Sequence, residues 1–227
     1  MEYVEIARAE TERGELVLRE RRPDVGPTVL ELRANGVFVM DTLEVTTERA
    51  LAAAALELVE RPRAVVVGGL GLGFTMHEVL ADSRVERCAV VEIEEALVRW
   101  MRDGTVPHGP ALLADRRVSV VVADIAVAIA EARASTYDLV LLDVDNGPGY
   151  LVHDTNDVLY HAPFLTSVRE VLRPGGALAV WSADEAPELE DTLSDVFGEV
   201  TVQPHDVQLQ GRDEQYWLYA ARARPTG

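Results

Sequence analysis

Apolar and polar positions along the chain change rhythm once, near residue 45. Before it they alternate: GELVLRER, TVLELRANG and VFVMDT carry apolar side chains at every second position, the period of a strand with one buried face. The Asn35-Gly36 pair is a hairpin signal, because both residues tolerate the positive φ of a tight turn. Next, RALAAAALELVE predicts a helix capped by Thr46 or Thr47 and stopped before Pro62, with a packing role. Beyond it, uninterrupted apolar runs (Val65 to Val67, Ala89 to Val91, VSVVVAD, YDLVLLDVD, ALAVWSA) alternate with helix-like segments such as EEALVRWMRDG, AVAIAEAR, Pro163 to Leu172 and ELEDTLSDVFG. Strands covered on both faces read as continuous Val, Ile and Leu. The alternation therefore predicts an α/β fold: a mostly parallel sheet with helices on both faces, closed by an antiparallel pair from TVQPHDVQL and EQYWLYAARAR. The chain divides into a small N-terminal β appendage, residues 1–45, and an α/β domain, residues 46–227.

In such sheets ligands bind at the carboxyl ends of the strands, so the residues that close each apolar run carry the chemistry. Val65 to Val67 break into Gly68, Gly69, Gly71 and Gly73. Glycines there allow a sharp turn and close backbone approach to a ligand, with the first amides of the next helix facing it. A dinucleotide G-x-G-x-x-G needs glycine at 74 or 76, which are Phe74 and Met76; the pattern present is G-x-G-x-G, that of S-adenosylmethionine (AdoMet) transferases. By itself such a turn is also an ordinary tight strand-to-helix connection. Glu92, about twenty residues on at the end of the next run, stands where an acid accepts hydrogen bonds from ribose hydroxyls, and its neighbour Ile93 is counted with the donor site. Asp124 ends the third run and has two readings: a helix N-cap, or an acceptor for the adenine amino group with Ile125 beside the ring.

The fourth run opens into DVDNGPGYLVHDTND, four aspartates, a histidine and two asparagines around an apolar centre. This is either a solvated loop or an acidic, partly covered pocket. In a pocket, Asp143 and Asp145 could orient an ammonium group and take its proton, with Asn146, Tyr150 and His153 contacting the acceptor. His153 could also be plain polar surface.

Composition narrows these options. A net charge of −18 opposes a nucleic-acid partner and fits a neutral or cationic small substrate. All basic residues are arginine, which excludes lysine-dependent phosphate loops and Schiff bases. Five scattered histidines and the single cysteine, Cys88, form no metal-ligand spacing, so no metal is expected. The absence of a long apolar run or a leader-like start argues against a membrane, and the single cysteine fits a reducing cytoplasm, with Cys88 as a small buried hydrophobe.

With these residues in view, the chain resembles the spermidine synthase family within the AdoMet-dependent methyltransferase fold. GLGLGFTMHEVL is similar to the family's glycine motif and following T-L-R-E-V-L helix, VVEIEEALV to V-E-L-D-P-x-V-V, VVADI to the D-A adenine motif, YDLVLLDVDNGP to Y-D-V-I-x-x-D-S-S-D-P, and LRPGGALAV to the L-K-P-G-G turn and strand. The resemblance implies a Rossmann-like, seven-stranded, mostly parallel sheet with a short β appendage. It places Gly69, Gly71, Gly73, Glu92, Ile93, Asp124 and Ile125 on the donor, Asp143 as catalytic base with Asp145 beside it, and Asn146 at the second aspartate of D-S-S-D. It also implies a homodimer. The chain departs from the family at Leu72, which replaces the aspartate that recognises the donor amine in aminopropyl-transferring members, at Thr47, Glu48 and Arg49, which stand for its Y-H-E, and at Asn146, for which Asp145 could substitute. An unpaired ammonium against leucine costs several kcal/mol. The expectation is therefore transfer of a methyl group from AdoMet to an amine or similar nucleophile. The alternatives are aminopropyl transfer from decarboxylated AdoMet, aminocarboxypropyl transfer or cyclisation, and a non-catalytic AdoMet-binding or dimerisation protein.

Overall fold

In the computed structural model, which describes residues 2–144, 147–149, 151, 153–209 and 212–223, the alternating N-terminal stretch forms an antiparallel sheet. Its strands β1 (Glu2–Thr11), β2 (Gly14–Arg22), β3 (Val29–Ala34) and β4 (Val37–Asp41) lie in sequence order. The first strand is an addition to the sequence reading: it is an edge strand, half-buried at best, and its polar face hides the alternation. The β3–β4 hairpin turns at Asn35 and Gly36, with φ of 51° and 76°, both in the left-handed region that such a turn requires. Helix α1 (Thr46–Leu58) follows. The expected threonine cap does not form, because Thr46 and Thr47 give their hydroxyls to Glu44 and Glu48 instead.

The second sheet is built from β5 (Ala64–Gly68), β6 (Arg87–Glu92), β7 (Val118–Val122), β8 (Tyr137–Leu142), β9 (Leu172–Ser182), β10 (Gly198–Leu209) and β11 (Arg212–Ala223). Helices α2 (Phe74–Ala81), α3 (Glu95–Asp103), α4 (Gly109–Leu113), α5 (Ile125–Glu131), α6 (Ala162–Val171) and α7 (Pro187–Phe197) connect them, and a 3₁₀ segment, Asp154–Tyr160, precedes α6. The spatial order is β10-β11-β9-β8-β5-β6-β7, with only β11 antiparallel to its neighbours. Chain order reverses on either side of β5, which opens the crevice where such sheets bind ligands.

Burial follows position in that order. Central β5 is buried at every residue. Edge strand β7 is not: Val121 and Val122 are each 45% exposed, so its continuous apolar run does not mean cover on both faces. The RPGG stretch, expected as a turn, lies inside β9, where the pairing with β8 shifts register between Tyr137 and Leu139. The inward face of the N-terminal sheet, through Leu16, Leu18, Leu32 and Ala34, joins one hydrophobic cluster with Val67, Leu97, Met101 and Trp181. The small sheet is therefore held over the carboxyl edge of the large one by shared apolar burial. Among the described residues no helix is long and apolar enough to cross a membrane.

Candidate active site

Strand β5 ends in the glycine turn, and Gly69, Gly71 and Gly73 take φ of 90°, 48° and 88°. Only glycine adopts these without strain. The space they spare is used first by the protein itself. A side chain at 69 would collide with the carbonyl oxygen of Asp143, and a Cβ at 71 would lie 2.7 Å from the Met40 sulfur. That thioether lies over the turn and accepts the Leu72 amide at 3.2 Å. Met40 is unbranched and adaptable, and both it and Gly71 line the main cavity.

Glu92 closes β6 inside this crevice and is only 6% exposed. Its two carboxylate oxygens accept the amides of Leu70 and Glu94, each at 2.8 Å, so it ties the glycine turn to the start of α3. Burial raises its carboxyl above the ordinary range, opposed by these amide bonds. Next to it lies a slot lined by Ile93, Asp124, Ile125, Val144 and Leu159, and Glu92 and Gly69 reach both slot and cavity. Asp124 does cap α5, its Oδ1 accepting the Ala126 amide at 2.7 Å. The cap uses one oxygen, so the two sequence readings of Asp124 are compatible.

At the mouth of β8, Asp143 accepts the Thr75 hydroxyl at 2.5 Å. Burial pushes its carboxyl up to about 6, against the lowering effect of that hydroxyl. Glu48, from α1, lines the same cavity and is 9% exposed. Burial, and then the Asp143 charge, push it up to about 7. The Tyr216 hydroxyl is pushed up to about 12 by burial and by the charges of Glu214, Glu48, Glu44 and Asp41, so the acids of this corner act on one another. His153 lines the cavity. Asp145, Asn146 and Tyr150 lie outside the described residues.

Several site residues carry no motif. Glu48 lies in the helix expected to serve packing; its signals are an acid in the first turn of an otherwise apolar segment and its place where the resemblance puts the Y-H-E signature. Arg13, at the tip of the β1–β2 hairpin, reaches across the mouth to Glu94 (3.7 Å), Thr155 (3.4 Å) and Asn156 (3.1 Å). Asn35 holds that tip in place, accepting the Glu15 amide and donating to the Arg13 carbonyl. Trp181 lines the cavity from β9, and its buried indole N–H has no hydrogen-bond partner among the described residues. A ligand lone pair there would satisfy a donor that costs free energy when left unpaired. Cys88, fully buried with its thiol pushed up to about 12 by burial, takes no part. No group of three or more His, Cys, Asp or Glu side chains converges on a metal position among the described residues.

The site can be set beside known proteins. Putrescine N-methyltransferase 3 of Nicotiana tabacum is 32% identical over 120 residues, 53% of this chain and 30% of that one. Polyamine aminopropyltransferase 2 of Pseudomonas aeruginosa is 32% identical over 152 residues, 62% of this chain and 41% of that one. The matches thus span less than half of these relatives' own lengths. The spermidine synthase of Thermotoga maritima superposes with a TM-score of 0.82 at 17% identity, over 98% of this chain and 74% of that one, a likeness of fold. The spermine/spermidine synthase domain matches residues 44–199, from just before α1 through the glycine turn, Glu92, Asp124 and Asp143 to the start of β10, and the chain belongs to that family.

Proposed function

We propose that this protein is an AdoMet-dependent transferase that moves a methyl group to an amine. The observation that carries this is Leu72. Where aminopropyl-transferring members hold the donor amine with an aspartate, this chain has a leucine that is 0% exposed and packed in the core. That position lacks the carboxylate with which aminopropyl-transferring members pair the donor ammonium. In this reading Glu92 holds the ribose, and Ile93, Asp124 and Ile125 enclose the adenine. The methyl carbon then faces Asp143, and the sulfonium already makes it electrophilic, so alignment supplies most of the acceleration. The putrescine N-methyltransferases among the relatives support the same chemistry and point to a small aliphatic amine as acceptor.

Aminopropyl transfer is the second reading. Its specific support is the charge of the main cavity, whose lining holds Glu48, Glu92, Glu94 and Asp143 and no arginine among the described residues. Such a cavity favours the donor with the larger positive charge. Calorimetry with AdoMet, its demethylated product and decarboxylated AdoMet separates the cases. Tighter binding of AdoMet than of the decarboxylated donor supports methyl transfer, and the reverse order supports aminopropyl transfer. Failure of all three to bind removes both.

A further inference from the structure

Among the described residues, buried acids are met by a cation or by another residue's amide, with two exceptions. Glu31 meets Arg19 and Arg33, Asp41 meets Arg21, Asp138 meets Arg173 and the Ala64 amide, and Glu94 meets Arg13. Glu92 is held by two amides. Glu48 and Asp143 have no cation in the described contacts, and the one amide that bonds the Glu48 carboxylate is its own. Each has one hydroxyl: Thr47 donates to Glu48 Oε2 at 3.0 Å, and Thr75 donates to Asp143 Oδ2. The Thr75 oxygen also lies 3.5 Å from the Glu48 backbone carbonyl, so one side chain fixes α1 against the end of β8. Both carboxyls open on the same cavity. Desolvating two unpaired carboxylates side by side is unfavourable unless a proton or a cation is shared between them.

We infer that Glu48 is a second acid-base residue of this site, and that Glu48 and Asp143 act as one unit. The pair holds a proton in the empty enzyme, exchanges it for the acceptor's ammonium group, and then takes the proton that the nitrogen must lose. This rests on the reading of the cavity as an amine-transfer site and adds a residue to it. The bookkeeping is simple. The ammonium N–H bond breaks and its proton passes to a carboxylate of the pair. The freed nitrogen lone pair bonds to the transferred carbon while the carbon–sulfur bond breaks, its electrons returning to sulfur. The product leaves as a substituted ammonium, and the pair releases its proton to solvent. Thr75 fixes Asp143, and Glu48, closer to the acid cluster of Glu44, Asp41 and Tyr216, is the member that holds the proton more firmly. Glu92, Glu94 and His153 are the other titratable groups lining the cavity among the described residues.

The test is Glu48→Gln, with Glu48→Asp as the conservative variant. With AdoMet and putrescine as probes, Glu48→Gln is expected to lower kcat/KM for the amine by about tenfold or more and to move the acidic limb of its pH profile down by about one unit. Donor affinity by calorimetry stays within about twofold, which also reports that the variant folds, and Glu48→Asp restores part of the rate. An unchanged rate and limb overturn the proposal. A second readout needs no substrate: the infrared difference between acid and alkaline pH of the free protein reports carboxyls that titrate high. Loss of part of the protonated-carboxyl signal in Glu48→Gln supports the shared proton, and an unaltered signal contradicts it. If the infrared change appears but no amine accepts a group, the pair stands and the transferase reading falls.

Discussion

Gly69 packs on the backbone of Asp143 so closely that the position tolerates no side chain. The hydrogen bond from the Asp143 amide to the Gly68 carbonyl, 2.9 Å, fixes the two strand ends in the same register. The turn proposed to carry the donor and the acid proposed to face the acceptor are thereby one rigid unit, which is what positional catalysis requires. Gly69→Ala combines this collision with a φ of 90°. It is expected to cost about 2–3 kcal/mol of stability and to weaken donor binding, measured by denaturant unfolding and calorimetry.

Glu92 holds the turn from the other side. Glu92→Ala leaves the Leu70 and Glu94 amides without acceptors in a buried place. Losing charged hydrogen bonds of about 1.5–3 kcal/mol each predicts a fall in donor affinity of at least about tenfold. Titration calorimetry with AdoMet checks it.

The acid pair makes stability depend on pH with a definite sign. Folding raises Glu48 from 4.5 to about 7 and Asp143 from 3.8 to about 6. Between those values the folded state binds more protons than the unfolded one, so stability is fully present below the unfolded values and is lost as pH rises through the folded ones. Glu48→Gln should therefore raise Tm at pH 8 relative to the parent, by roughly 1–3 kcal/mol in stability, with the gain fading toward pH 5. Calorimetric melting of both proteins across that range measures it.

Arg13 ties the N-terminal hairpin to the far side of the cavity mouth. Arg13→Ala removes the contacts to Glu94, Thr155 and Asn156. Faster amide exchange through residues 154–160 and a severalfold weaker donor affinity are expected, with Tm changed little because partly exposed ion pairs contribute about 0–1 kcal/mol.

Much of this site was legible in the sequence because the residues proposed to bind the donor sit at strand ends, where short local patterns mark them: the glycine turn, Glu92, and Asp124 with Ile125. The parallel sheet was equally plain from its unbroken apolar runs. Residues that reach the cavity from elsewhere were not. Glu48 lies in an alanine-rich helix whose periodicity speaks of packing, its place at the Y-H-E position coming only from the family resemblance, and Met40 and Arg13 arrive through the docking of the small sheet, which depends on contacts distant in sequence. Trp181 reads as one more apolar strand residue, since nothing local reveals an unpartnered N–H. The strand from Glu2 to Thr11 escaped notice because an edge strand has little apolar face to display.

The methyl carbon of the donor sulfonium is proposed to pass to an amine held between Asp143 and Glu48. Incubating the protein with AdoMet labelled in its methyl group and a panel of amines including putrescine, followed by mass spectrometry, tests it most directly. Label on the amine and accumulation of the demethylated donor are expected. Label that stays on sulfur while a propyl-containing chain appears on the amine would contradict it.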